Sequence, residues 1–427
     1  MSESTKPRDK YFSIDERSAI WTIWLTYGSF YFCRTNISVA VPGLGASVAD
    51  GGAGLTGEEI GFILASLKLA YAIGQLVNGQ LSEKFSPRLL LAVGMLSSAV
   101  LNVLFGFSTG FYFLLFIWAC NGYSQALGWT PCMRVMGNWI PFYKRGRAIG
   151  FIGTGYQVTL GLTYFIAGQS SEWLGWRAAL YVPAIFLTAA AVYMLVFLKE
   201  SPDGRTEDSV RHDDADSGVA GKPTFVQNLM LTFSNPALWL LGLSLGLLNA
   251  SRYGFLDWGI THLTEVQGTG VGKASLKYLI LPIGAVAGSF LAGWMTDRFF
   301  GGRRAPVICG LLVSLGVLTL LYEYVARVSV TATLFLLVLI GFCIYGPQVL
   351  LVGTAPSDLA RRGTTAAAAG FVNFLGYMGA SAGDIVTGHY KMPEHGGWEV
   401  AIYIWAGWAF AAAFFSALLW NARSETA

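Results

Sequence analysis

Charge is what this chain has least of. Asp, Glu, Lys and Arg make up 12% of its 427 residues, about half the share usual in a soluble domain. That scarcity excludes a large solvated surface. A net charge of only +3 also gives no basic footprint for nucleic acid. None of the five cysteines (Cys33, Cys120, Cys132, Cys309, Cys343) forms a CxxC pair, so neither a disulfide framework nor a metal site is indicated. No HExxH, GxSxG or P-loop string and no paired-carboxylate arrangement occurs. The four histidines (His212, His262, His389, His395) fall in a polar linker or near loops. No catalytic residue, metal ligand or cofactor is therefore expected, and the chain reads as a non-enzyme. The opening MSESTKPRDKYFSIDER lacks the apolar core and A-x-A site of a signal peptide, so the first apolar stretch is expected to be its own insertion signal.

Apolar residues are what the chain has instead. They make up 54% of it, with 14 Trp and 52 Gly, and the mean hydropathy is +0.52. Such a balance suits a polytopic helical membrane protein, with Trp at interfaces and Gly where helices approach closely. Windows long enough to cross a bilayer recur at 18–41, 58–80, 89–108, 111–138, 146–170, 175–198, 236–261, 275–296, 305–325, 330–353, 364–388 and 397–420. The expected fold is all-α, with twelve spans in two six-helix halves. The divisions are an N-tail (1–17), a first bundle (18–198), an acidic, disorder-like linker (199–235), a second bundle (236–420) and a C-tail (421–427).

Lys and Arg in the short loops predict orientation. With the N-terminus inside, inner loops hold Lys84, Arg88, Lys144, Arg145, Arg147, Arg298, Arg303, Arg304, Arg361 and Arg362. Outer loops hold Lys273, Arg327, Lys391 and, if the eighth span starts late, Lys277. Both termini and the linker are thus expected in the cytoplasm, with the chain multi-pass in the cell's inner (plasma) membrane.

The halves repeat each other. GQLSEKFSPR (79–88) returns as GWMTDRFFGGRR (293–304), and GWTPCMR (128–134) has an echo in YGPQVLL (345–351). Arg145-Gly146 matches Arg362-Gly363, and Gly175-Trp176 matches Gly397-Trp398, at offsets of 214 to 222 residues. Two six-helix halves in parallel repeat resemble major facilitator transporters, whose substrate site lies near the midplane between the halves. The loop acids and bases Glu83, Lys84, Asp297 and Arg298 are expected to form charge pairs that hold one state and break in the other.

Arg34 lies inside the first apolar window, where a charge costs a few kcal/mol. Adding the repeat offset of 218 to Arg34 reaches Arg252, inside the seventh. Two guanidiniums facing across a pseudo-two-fold axis repel unless an anion lies between them, and a guanidinium binds phosphate bidentately. The alternative is that each is satisfied by carbonyls or an acid within its own half.

YFCRTNISVAVP, GWTPCMRVMGNWIP followed by KRG, RYGFLDW, and YGPQVLLVGTAP followed by GTTAAAAGFVNFLGYMG resemble the organophosphate:phosphate antiporter family. The resemblance runs from about residue 18 to 420 and implies that Arg34 and Arg252 bind the phosphate moiety, with inorganic phosphate as counter-substrate. Tyr27 and Tyr31 precede Arg34 on its helical face; Trp129, Tyr345 and Tyr377 fall at family positions that line the cavity. Gln75 stands where two branches of the family have a lysine, Tyr156 where one has a histidine, and Pro282 where both have an acid. Asn249 completes the candidate substrate-binding set.

Lys68 and Asp384 are two further charges inside apolar windows. They are expected to pair across the halves and close the outer side, or Asp384 is expected to meet a cationic group on the substrate. Alternatively, Lys68 snorkels and Asp384 is wetted near the surface. Asp257 and Arg134 read as structural. The expected function is exchange of a small organophosphate or phosphonate-like anion for inorganic phosphate by rocker-switch alternating access, by a monomer in the lipid bilayer. The alternatives are a proton-coupled symporter of a small organic anion with Asp384 titrating, and a transporter-like sensor of sugar phosphate.

Overall fold

A computed structural model describes residues 11–202, 230–360 and 365–421. Among these residues there are helices and no strands. Span 1 is Ile14–Ser29, a 3-10 turn Phe30–Cys33 and Ile37–Gly45. Spans 2 and 3 are Gly57–Lys84 and Pro87–Gly106. Span 4 is broken into Phe111–Gln125 and Trp129–Trp139, and spans 5 and 6 are Phe142–Leu174 and Ala178–Phe197. Span 7 is Pro236–Tyr253, a π-turn Gly254–Trp258 and Gly259–Gln267. Span 8 is Val271–Tyr278 with Leu281–Phe299, and span 9 is Arg304–Val328. Span 10 is Val330–Val349, a π-turn Leu350–Thr354 and Ala355–Leu359. Spans 11 and 12 are Thr365–Tyr390 and Gly397–Ala417.

Seven of these, spans 2, 3, 6, 8, 9, 10 and 12, are each long and apolar enough to cross a membrane. Spans 1, 4, 5, 7 and 11 carry most of the polar residues of the interior site. Span 1 begins earlier than the sequence window, at Ile14, because Ser13 and Glu16 form a capping box: Glu16 N–H donates to Ser13 Oγ at 3.2 Å, and Ser13 N–H donates to the Glu16 carboxylate at 2.8 Å. Most of the predicted linker, and Arg361 and Arg362, lie outside the described residues.

Packing follows the repeat. Within the first half, spans 1 and 5, 2 and 4, and 3 and 6 pair; within the second, 7 and 11, 8 and 10, and 9 and 12. Between the halves, span 2 packs on span 11 and span 5 on span 8. These two seams are repeat equivalents of each other. At the end remote from the termini the span 2–span 11 seam brings backbones into contact. A Cβ at Gly57 would stand 2.3 Å from the Gly388 carbonyl, and one at Gly61 would stand 2.7 Å from the Asp384 carbonyl. Glycine is what permits that approach. Toward the end carrying the termini, a cavity lined by Trp129, Tyr156 and Gln157 of one half and Ser289, Gln348 and Val352 of the other separates the bundles.

Candidate functional site

Span 1 breaks where Arg34 must point inward, and buried amides hold the break open. The Cys33 carbonyl accepts from Asn121 Nδ2 at 2.9 Å and Asn102 Nδ2 at 3.2 Å. Gln125 Nε2 donates to the Phe30 carbonyl at 3.0 Å. In an unbroken helix these carbonyls would serve the helix's own amides, and left unpaired in a bilayer they would be costly. Asn36 donates to Asn102 Oδ1 at 2.9 Å and to the Ala179 carbonyl at 3.0 Å, tying the far side of the break to spans 3 and 6. Arg252 sits in the equivalent place, just before the π-turn of span 7. There Tyr164 of span 5 donates to the Leu256 carbonyl at 3.2 Å. π-turns of this kind recur at functional sites.

Arg34 and Arg252 are buried and line one cavity between the halves. Arg34 Nη1 donates to Tyr31 Oη at 3.4 Å, and Arg252 Nη2 to Tyr345 Oη at 3.3 Å. Among the described residues neither guanidinium has a carboxylate within salt-bridge distance, and the Nε of each has no hydrogen-bond partner. The alternative of an acid or carbonyl within each half is therefore absent among those residues. The compensation present is aromatic: the Arg34 guanidinium lies 4.0 Å from the Tyr71 ring centre and 5.1 Å from that of Tyr31, and Arg252 lies 4.8 Å from Tyr253 and 4.9 Å from Tyr345. Cation–π contact of this kind is worth about 2 kcal/mol when desolvated, far less than a bidentate anion offers. The cavity has room for about one or two waters, so a larger ligand has to displace the surrounding tyrosines.

An aromatic chain connects the arginines. Tyr31 stacks on Tyr156 at 5.1 Å, Tyr156 on Tyr345 at 6.3 Å, and Tyr27 packs on Trp129 at 4.8 Å. Tyr377 lies 4.8 Å from Tyr71 across the halves. Tyr31, Tyr345 and Tyr377 line the arginine cavity itself; Trp129 and Tyr156 line the adjoining cavity toward the termini. Gln75 lies apart from both, with Nε2 at 3.5 Å from the Ala126 carbonyl. Asn249 donates to the Gly376 carbonyl at 3.1 Å and so braces span 7 on span 11. Tyr71 and Tyr253, which sequence reasoning passes over, contact the arginines more closely than several residues it selects. Both carry a sequence signal: Tyr253 adjoins Arg252, and Tyr71 lies one turn from Lys68.

Lys68 stands between two carboxylates from the other half. Its Nζ donates to Asp257 at 2.5 Å and to Asp384, and lies 4.4 Å from the Tyr253 ring. All three charged side chains are buried, Asp384 completely. Lys68 and Asp257 line the arginine cavity as well. Asp257 is thus part of an inter-half cluster rather than the helix-end acid its sequence position suggested, because the π-turn rotates it inward. The loop charges behave differently. Asp297 pairs with Arg304 at 3.0 Å, and Arg304 also holds Asp358 at 3.1 Å, all within the second half. Lys84 and Arg298 are exposed, and the Glu83 side chain lies outside the described residues. Arg134 donates to the carbonyls of Ser82 and Phe85 at the end of span 2.

This geometry has relatives. Residues 23–383 match the family model described as Major Facilitator Superfamily. The chain is 28% identical to the membrane sensor protein UhpC of Escherichia coli (strain K12), covering 87% of this chain and 86% of the other. It is 28% identical to the glycerol-3-phosphate transporter of Bacillus subtilis (strain 168) over 93% and 91%. It is 26% identical to a probable hexose phosphate transport protein of Chlamydia trachomatis over 99% and 94%. The crystal structure of a D-xylose-proton symporter shares the fold, at a TM-score of 0.73 and 15% identity over 96% of this chain and 99% of that one. The chain belongs to the Major Facilitator Superfamily.

Proposed function

We propose that the protein exchanges a small organophosphate, or a phosphonate-like anion, for inorganic phosphate by alternating access. The observation that carries this is the pair Arg34 and Arg252: both buried in one inter-half cavity and both without a carboxylate partner among the described residues. A phosphate dianion between them supplies the missing counter-charge and accepts charge-assisted hydrogen bonds from both forks. It draws the halves together, and the energy that lowers the barrier comes from stabilising the occluded state rather than either end state. The empty carrier, with two facing cations, reorients slowly, which makes exchange obligatory. Relatives named for glycerol-3-phosphate, hexose phosphate and phosphoglycerate support a phosphorylated substrate.

Lys68 connects the site to the seam. It lines the arginine cavity and at the same time holds Asp257 and Asp384, so an anion entering the cavity competes with Asp384 for the same ammonium. On the expected orientation this seam closes the outer side, and loosening it lets the halves part there. With Lys68 on both carboxylates, the geometry supports the gate over a contact between Asp384 and a cationic substrate group.

The test is uptake of labelled glycerol-3-phosphate by proteoliposomes loaded with phosphate, without a pH gradient. A second reading is a sensor that binds such a ligand without moving it, favoured by the similarity to UhpC. Binding to purified protein with no flux in proteoliposomes would select it.

A further inference from the structure

A second inter-half contact lies at the outermost end of the same seam. Glu58 is in the first turn of span 2, His389 in the last turn of span 11, and His395 in the following 3-10 turn Pro393–His395. The Glu58 carboxylate contacts His389 Nδ1 across 331 residues of chain. The His389 and His395 rings stack 3.9 Å apart at 15°. One ligand atom from each of the three residues lies within 4.8 Å of the others. The side chains of Glu58 and His389 are 45% and 37% exposed, so an ion can reach them from solvent.

We infer that Glu58, His389 and His395 form a divalent-cation site, suited to zinc, that clamps spans 2 and 11 at the end remote from the termini. The chemistry of the donors carries it. Two imidazole nitrogens and one carboxylate oxygen are a three-protein-ligand zinc set, which leaves a fourth position for water. Tetrahedral zinc spaces its ligand atoms about 3.3 Å apart, so no pair has to close by more than about 1.5 Å, and the contacting Glu58 and His389 atoms part slightly to admit the ion. Rotation about the broad terminal torsion of each imidazole supplies that movement. The stack itself leaves one carboxylate to serve two imidazoles, whereas a shared cation uses all three groups. The neighbouring cation, Lys391, is directed elsewhere: its Nζ lies 3.5 Å from Glu265.

Position gives the site its consequence. Beside it, the Gly57 and Gly388 backbones touch, and further in along the same two helices Lys68 holds Asp384. Alternating access requires this seam to open. An ion coordinated by Glu58 from one half and two histidines from the other binds the closed seam and not the open one, and so holds the carrier shut on that side. Metal binding here depends on geometry alone and stands whether or not phosphate is the substrate.

The experiment is calorimetric titration of zinc chloride into chelator-stripped, untagged full-length protein. Wild type takes up one zinc at this site. His389→Ala combined with His395→Ala loses that binding, and Glu58→Gln weakens it at least about tenfold. Zinc raises the melting temperature of wild type and not of the double variant, while the two melt alike without zinc. Zinc added outside wild-type proteoliposomes slows exchange, and the double variant escapes. Equal zinc binding by wild type and the double variant, or none by wild type, overturns the site. Binding without slowed exchange in proteoliposomes that do exchange overturns the clamp.

Discussion

Lys68 and Asp384, 316 residues apart in sequence, meet in a buried ion pair where the first half of the molecule touches the second, with side chains 4% and 0% exposed. Asp257 makes the pair a triad from three helices. A lone lysine or aspartate at that depth would be costly, so the two halves are coupled by charges that neither can keep alone.

The triad predicts a sharp double-mutant result. Lys68→Asp gathers three carboxylates and should cost about 3–5 kcal/mol, as breaking a buried ion pair does, read as a large fall in melting temperature in detergent. Adding Asp384→Lys returns a cation to the cluster, between the carboxylate introduced at position 68 and Asp257, and should recover much of the loss. A double variant no more stable and no more active than either single one contradicts a paired gate.

Arginine geometry predicts a second outcome. Arg34→Lys and Arg252→Lys keep the charge but lose the bidentate fork. Each forfeits one charge-assisted hydrogen bond worth about 1.5–3 kcal/mol, so phosphate affinity should drop by about ten- to 150-fold, measured by thermal shift or calorimetry. Unchanged affinity in both would place the anion elsewhere.

Tyr71 provides a finer probe, because its ring lies 4.0 Å from the Arg34 guanidinium. Tyr71→Phe keeps the π face and should bind phosphate within about a factor of three of wild type. Tyr71→Leu removes a contact of about 1–2 kcal/mol and should weaken binding by about five- to thirtyfold, because Arg34 loses its orientation. Equal losses in the two variants would show that the hydroxyl matters and the ring face does not, and no loss in either would show that the contact does not support binding.

The glycine seam gives a conformational prediction. A Cβ at Gly57 would sit 2.3 Å from the Gly388 carbonyl, so Gly57→Ala should force spans 2 and 11 apart and favour the state open on that side. Ser381 is buried behind the seam. In a Ser381→Cys background, Gly57→Ala should speed reaction of that thiol with a membrane-impermeant reagent added from the same side. No change in reactivity would mean that the backbones adjust locally.

Much of this is legible in the sequence, and the boundary of legibility has a physical cause. The apolar windows locate the spans, and the regular offset pairs Arg34 with Arg252, because both signals are local or periodic. The breaks beside the arginines are not legible: the one at Arg34 depends on Asn102, Asn121 and Gln125 reaching carbonyls of another helix, and the one at Arg252 on Tyr164 reaching the Leu256 carbonyl. Asp257 looks like a helix-end acid only on a straight helix, and the chain there makes a π-turn. Asn249 and Gln75 read as cavity residues, yet hydrogen bonds draw them to backbone carbonyls instead. Glu58 gives no sign at all, since only the contact between the halves brings it to His389 and His395.

The most direct test of the central proposal is labelled-phosphate exchange in proteoliposomes holding unlabelled phosphate, with no pH or electrical gradient. Wild type should exchange rapidly, external glycerol-3-phosphate or another organophosphate should compete, and Arg252→Lys should lose exchange. Absence of exchange in wild-type vesicles, or phosphate uptake that appears only when a proton gradient is imposed, would contradict phosphate-coupled antiport.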